Sequence, residues 1–157
     1  MQFIADAMLG RLAKWLRLLG YDTLFAGDLP VSDDEILMIA EEEGRTLITR
    51  DKNLYARAKG AGIPAYFLND SDVEHQLASL ARAGIIELKE EPSTLICPRC
   101  NGKLVPVSKK EVEGLVPTTV LDTHDQFWVC TNCGQVYWEG THWKRMKELI
   151  QRVRSLI

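Results

Sequence analysis

Two short apolar segments, Phe3-Ile4-Ala5 and Leu47-Ile48-Thr49, each run into an aspartate where a helix opens, Asp6 in the first and Asp51, after Arg50, in the second. Each segment reads as the end of a buried strand. This repeated strand–acid–helix unit constrains the fold more than any other feature of the chain. In open α/β sheets, ligands and metals bind beyond the carboxyl ends of the strands. An aspartate there can cap the following helix, bind a metal, or do both.

The rest of the first ninety residues extends the same alternation. Gln2 to Ala5 is the first strand, and Ala7 to Leu19 is a helix with Met8, Leu9, Leu12, Trp15, Leu16 and Leu19 at helical spacing. Gly20 follows as its terminator. Arg11, Lys14 and Arg17 step by three along another side, which is either a solvated face or one that meets phosphates. Asp22 to Ala26 is a second strand. Ser32 and Glu35 form a capping box at the start of a helix that Gly44 ends. Thr46 to Thr49 is the third strand, Lys52 to Lys59 a short helix, and Pro64 to Leu68 the fourth strand. Asp72 to Ala83 is a helix and Ile85 to Leu88 a candidate last strand. The pattern predicts an α/β fold, a parallel sheet with helices on both faces and right-handed crossovers. Lys89 to Ser93 reads as a linker between a first domain, residues 1–90, and a second, residues 94–157.

The second domain carries all four cysteines, as Cys97-Pro-Arg-Cys100 and Cys130-Thr-Asn-Cys133, separated by 29 residues. Each pair is followed by a glycine, Gly102 and Gly134, where the chain must turn so that backbone N–H groups face sulfur. The spacing suits a closed tetrahedral Cys₄ site holding one structural Zn²⁺, with iron as the alternative occupant. Redox pairing is the competing reading. Short β-prone segments lie around the knuckles: Lys103 to Val107, Val116 to Val120, Phe127 to Val129 and Val136 to Trp138. The tail from His142 to Ile157 is a helix with Trp143, Met146, Leu149, Ile150, Val153 and Ile157 on one side. Lys144, Arg145, Lys147, Arg152 and Arg154 make it basic. The stretch Tyr137-Trp138-Glu139-Gly140-Thr141-His142-Trp143 either builds the small domain's core or stacks on bases.

Residues 1–92 hold 10 Lys/Arg against 16 Asp/Glu, and the remainder 9 against 6. The acids supply candidates for a hard-cation site holding Mg²⁺ or Mn²⁺, which needs carboxylates converging from several segments. Asp6 and Asp51 converge if the first and third strands are neighbours. Asp33, Asp34 or Glu35 can reach the same point, and Asp70 or Asp72 could complete it. Such a site can activate water for in-line displacement at phosphorus. For each acid alone the competing role is helix capping, and Glu35 is the one most committed to it. His75 and His124 lack catalytic partners at useful spacing, and there is no glycine-rich phosphate loop or nucleophile elbow. With 46% hydrophobic and 26% charged residues the chain has the composition of a soluble globular protein. No apolar run approaches the roughly 18 residues of a membrane span. The first twenty residues lack a signal-peptide pattern, so no membrane partner and a cytoplasmic location are expected.

The segment from Phe3 through Asp6-Ala7-Met8-Leu9-Gly10-Arg11-Leu12-Ala13, with Leu16-Arg17 and Leu19-Gly20-Tyr21-Asp22, resembles the opening of the Mut-seven C-terminal RNase family of PIN-like proteins. Gly44-Arg45, Leu47 and Thr49-Arg50-Asp51 resemble its second signature, and the two knuckles with Tyr137 to Trp143 its zinc-ribbon half. The resemblance implies a PIN-like parallel sheet flanked by helices, fused to a zinc ribbon with a C-terminal helix. It also implies metal-dependent cleavage of RNA, with Asp6 and Asp51 as metal-binding acids. The helix-borne acid stays open among Asp33, Asp34 and Glu35, and a fourth between Asp70 and Asp72. The expected activity is a ribonuclease, an endonuclease on single-stranded RNA. Arg11, Lys14, Arg50, Trp138, His142, Lys144 and Arg145 would meet the RNA. A non-catalytic RNA-binding or ribosome-associated module is the alternative, a receiver-like phosphoacceptor a more distant one. A homo-oligomer is compatible with the sequence.

Overall fold

The computed structural model describes residues 1–92 and 94–157, with the side chains of Thr141 and His142 outside the described set. Four short strands, β1 (Phe3–Ala5), β2 (Thr23–Phe25), β3 (Thr46–Thr49) and β4 (Ala65–Phe67), form a parallel sheet in the order β2-β1-β3-β4. The α/β architecture expected from the alternation is present, and β1 and β3 are direct neighbours, with Ala5 opposite Ile48.

Alternate residues of a strand face opposite sides of the sheet. Phe3, Ala5 and Ile48 pack with α1 (Gly10–Leu18) and α4 (Val73–Arg82). Ile4 and Leu47 pack with α2 (Asp33–Glu43) and α3 (Lys52–Gly60). The central strands are therefore buried on both sides, which is why they read as continuous apolar runs. Ser32 and Glu35 make both halves of the capping box on α2, and Gly44 ends that helix at φ 66°. The first helix starts later than its apolar spacing predicts. Ala7 and Met8 lie in a turn before Gly10, and Met8 is exposed.

Three other expectations are corrected. Residues 85–88 form no strand. Ile86 is buried in the core, while the Glu87 N–H donates to the Tyr21 hydroxyl (2.7 Å) and the Leu88 carbonyl accepts from Arg154 (2.7 Å). Side chains thus satisfy backbone that a neighbouring strand would otherwise pair. Val116 to Val120 is not a strand either. Pro117 opens a short helix, α5 (Thr118–Thr123), which packs Val120 and Leu121 against Phe127. The third concerns Arg17, which belongs to neither a solvated nor a phosphate-contacting face. It is buried, and its Nε donates to the Thr23 carbonyl at 2.9 Å.

The second sheet is antiparallel, with β5 (Leu104–Val107), β6 (Phe127–Cys130) and β7 (Val136–Trp138) in sequence order. The C-terminal helix α6 (Thr141–Ser155) meets that sheet through Trp143, against Trp128 of β6, and sends the rest of its buried apolar side elsewhere. Met146, Leu149, Ile150 and Val153 are buried in the core shared with α1 and α4. Of its basic residues, Arg152 pairs with Glu74 of α4 at 2.9 Å.

A second junction joins the first cysteine knuckle to β2, the outermost strand on that side. Arg17 Nη1 donates to the Pro98 carbonyl (3.0 Å) and the Thr23 N–H donates to Asn101 Oδ1 (2.8 Å). Asn101 Nδ2 and Arg45 Nη1 both donate to Asp22 Oδ1, at 2.6 and 2.8 Å. Burial works against the Asp22 carboxylate, but these two donors outweigh it and hold its pKa below the usual range.

Candidate functional site

Asp6 and Asp51 stand at the carboxyl ends of adjacent strands, but the chain uses them differently. Asp6 is buried, and its carboxylate accepts from the N–H groups of Met8 and Arg50, each at 2.9 Å, and from the Thr49 hydroxyl. It shapes the turn ahead of α1 and does not cap that helix. Asp51 is the N-cap of α3, with Oδ1 accepting from the N–H groups of Asn53 (2.8 Å) and Leu54 (3.2 Å). Thr49 joins the two. Its hydroxyl donates to Asp6 and accepts the Asp51 N–H at 2.9 Å. A carboxylate offers about four lone-pair sites. Asp6 therefore keeps one after its three donors, and Asp51 keeps the whole of Oδ2. Capping and metal binding are compatible at Asp51.

The acids of α2 are engaged elsewhere. Asp34 forms an ion pair with Arg57 of α3, and Glu35 closes the capping box with Ser32. Asp33 completes the acidic first turn of α2. Beyond β4, Asp72 caps α4 and holds the His75 ring at 2.8 Å, while the Asp70 carbonyl accepts from Gln76. Among the described residues, the group of three or more potential ligands that converges is the cysteine set, and the acids do not form a second one. Asp6 and Asp51, linked through Thr49, could offer one or two carboxylates to a hard divalent cation.

Three basic residues lie near these acids in sequence, Arg11, Lys14 and Arg50. Arg11 and Lys14 are exposed on successive turns of α1, and neither has an ion-pair partner among the described residues. The Arg50 Nε is buried without a hydrogen-bond partner, beside the backbone N–H that Arg50 gives to Asp6.

The four cysteine sulfurs lie within 4.8 Å of one another, with Cys97 and Cys133 at 3.8 Å and Cys100 and Cys130 at 3.4 Å. A Zn–S distance of about 2.3 Å in a tetrahedron places sulfurs about 3.8 Å apart. Backbone N–H groups of Gly102, Asn132 and Cys133 point at sulfur, each at 3.4 Å. A β-carbon on Gly102 would lie 2.6 Å from the Cys130 sulfur, so only glycine fits there. Burial opposes ionisation of Cys100, but the donors Asn132 and Gly102 pull its thiol down to about 6. At Cys133 the Gln135 N–H favours the thiolate, yet burial and the other three sulfurs push it up to about 11. Without a cation these thiols oppose one another's ionisation, and one divalent ion lets all four bind as thiolates. The set could hold one Zn²⁺ with no open position.

The three aromatics of the Tyr137–Trp143 stretch have three different surroundings. The Tyr137 hydroxyl lies 2.9 Å from the Cys97 sulfur, and burial, then that sulfur, push its pKa far above the ordinary value. It stays protonated, and its O–H donates to the Cys97 sulfur, the contact that an outer partner of a metal-binding cysteine makes. Trp143 packs edge-on against Trp128, with ring centroids 6.2 Å apart. Trp138 lines a cleft of about 510 Å³ with Lys14, Pro98, Arg99, Gln135 and Tyr137. Lys14 and Trp138, proposed separately from sequence, thus share one cleft. Lys144 and Arg145 are exposed on α6, and the expectation for His142 lies outside the described residues.

Thr49 and Arg99 were missed. Thr49 lies inside the Thr49-Arg50-Asp51 segment, and a hydroxyl between a strand and an acid was the available signal. Arg99 sits inside the first knuckle, where its charge was masked by the cysteine spacing.

These features define an α/β domain with paired acids at adjacent strand ends, joined to a four-cysteine ribbon that could bind one zinc ion. The family model described as Mut7-C RNAse domain matches residues 1–150 of the 157, and the chain belongs to that family. No curated protein and no solved structure matched the chain. Membership points to a ribonuclease-type activity, with RNA as the class of substrate. Among the described residues no helix is long and apolar enough to cross a membrane.

Proposed function

We propose that the protein is a metal-dependent ribonuclease that cleaves single-stranded RNA internally at the strand ends carrying Asp6 and Asp51. The observation that carries this reading is the pairing of these two acids through Thr49 on neighbouring strands, each with lone pairs left over. A bound Mg²⁺ or Mn²⁺ would lower the pKa of a coordinated water and offset charge on the phosphate. The chain's own groups hold the carboxylates in position: Met8, Arg50 and Thr49 fix Asp6, and the first turn of α3 fixes Asp51. Arg50 is partly exposed next to Asp51 in sequence and its guanidinium would offer N–H donors to a phosphate oxygen, while Arg11 and Lys14 extend positive charge along α1. The ribbon, Lys144, Arg145 and His142 would position the strand.

The test is cleavage of end-labelled single-stranded RNA with added Mn²⁺ and without, by wild type, Asp6→Asn and Asp51→Asn. The expected result is metal-dependent internal cutting that falls by at least about a hundredfold in either variant. Cutting that survives both variants would place the chemistry elsewhere. The engagement of Asp34 by Arg57 and of Glu35 by Ser32 favours a second reading, an RNA-binding module without cleavage. Metal-independent binding with no cutting would select it.

A further inference from the structure

We propose that the cleft between α1 and the first cysteine knuckle is a nucleotide subsite, seating one base of a single-stranded RNA against Trp138 and a flanking phosphate on Lys14 and Arg99. The proposal rests on the RNA-binding part of the function above and not on cleavage. The cleft's walls come from three distant parts of the chain: Lys14 on α1, Pro98 and Arg99 in the knuckle, and Gln135 to Trp138 leading along β7. Its volume, about 510 Å³, lies in the range of small-ligand sites. The lining is mainly apolar and carries two cations, which matches a flat base joined to a phosphate.

The side chains are prepared for that ligand. Arg99 is exposed, and its Nη1 donates to Gln135 Oε1 at 3.2 Å, while the Gln135 amide nitrogen donates to the Val136 carbonyl at 3.3 Å. A neutral partner orients the guanidinium without cancelling its charge, and its other N–H groups stay available. Neither Lys14 nor Arg99 meets a carboxylate among the described residues. Tyr137 is committed to the Cys97 sulfur, which leaves the half-buried Trp138 as the stacking surface. A β-carbon at Gly140 would come within 3.2 Å of the Trp138 Nε1, so glycine keeps that side of the indole uncrowded. An acidic peptide would use the two cations but not the flat ring, whereas single-stranded RNA uses both. Arg11, in the first turn of α1, one turn before Lys14 and equally exposed, adds a further cation along the helix.

The experiment is fluorescence anisotropy of a short, unstructured, labelled RNA with the zinc-loaded full chain, without Mg²⁺ or Mn²⁺, across a salt series. Lys14→Glu and Arg99→Glu should each weaken binding roughly tenfold and lower the slope of log affinity on log salt by about 0.7. Trp138→Ala should weaken it by roughly five- to a hundredfold with the slope unchanged. Lys110→Glu, an exposed charge change away from the cleft, should bind as wild type. Zinc content and unfolding midpoint report whether Trp138→Ala has folded, and the two exposed charge variants stand independently of it. Wild-type affinity and slope in both charge variants would overturn the proposal, as would wild-type failure to bind RNA. So would a labelled polyglutamate peptide that binds in place of RNA and is released by the same charge changes. Persistent cleavage in Asp6→Asn and Asp51→Asn would sink the nuclease site and leave this subsite standing.

Discussion

Asn101 carries more of the molecule than its place between a cysteine and a glycine suggests. Its side chain accepts the Thr23 N–H and donates to Asp22, and its backbone sits at φ 70°, where a β-carbon is strained. Asn101→Ala leaves a buried N–H unpaired and keeps the strain, so a loss of about 2–4 kcal/mol is expected in chemical denaturation with zinc present. Asn101→Gly should recover about 1 kcal/mol of it. At the far side, Asp72 raises the pKa of His75 above 6.5 through their hydrogen bond and opposite charge. A raised histidine pKa means that the pair's contribution is complete below pH 6.5 and fades as pH climbs through the raised value. Following the ring protons by NMR should show the midpoint above 6.5 and its return toward that value in Asp72→Asn, which keeps a competent N-cap. The Asp72–His75 contact was within reach of the sequence, since cap and ring are three residues apart. Asn101 and Asp22 are 79 residues apart, and no local pattern announces their meeting.

The elements were legible where one period and one cap agreed. The capping box of α2, its glycine stop and the Asp51 cap of α3 follow from local chemistry alone. The misses occurred where tertiary partners took over. Asp6 holds a turn that delays α1, side chains satisfy the backbone of residues 85–88, and Pro117 starts a helix in a β-prone segment. The apolar side of α6 was visible in its spacing, but spacing does not say which core it enters. Ile150 is 1% exposed within the core of α1 and α4. Ile150→Ala should therefore destabilise the parallel-sheet unit by about 2–5 kcal/mol. Amide exchange should accelerate in β1 and β3 as well as in α6. Acceleration confined to α6 and the ribbon would show that the helix belongs with the ribbon energetically.

As a whole, the molecule sets a candidate hard-cation site and a four-cysteine cluster on one continuous framework. The neighbouring placement of Asp6 and Asp51 was legible because adjacency of β1 and β3 was the single condition it needed. The α2 acids were not separable by sequence, since capping and ion pairing compete for the same carboxylates. The cleft could not be read at all, because three segments build it and two of them meet only after the knuckle docks. That docking has a further consequence. Thr23, on the outermost strand of the parallel sheet, would otherwise present an open backbone N–H and carbonyl. Asn101 from the knuckle and Arg17, which also grips the knuckle at Pro98, close both. An open strand margin invites pairing with another chain. The knuckle thus covers this strand margin, and a chain in which the four cysteines are oxidised or metal-free should expose Thr23 to pairing with another chain, an outcome that light scattering would read as growth in particle size.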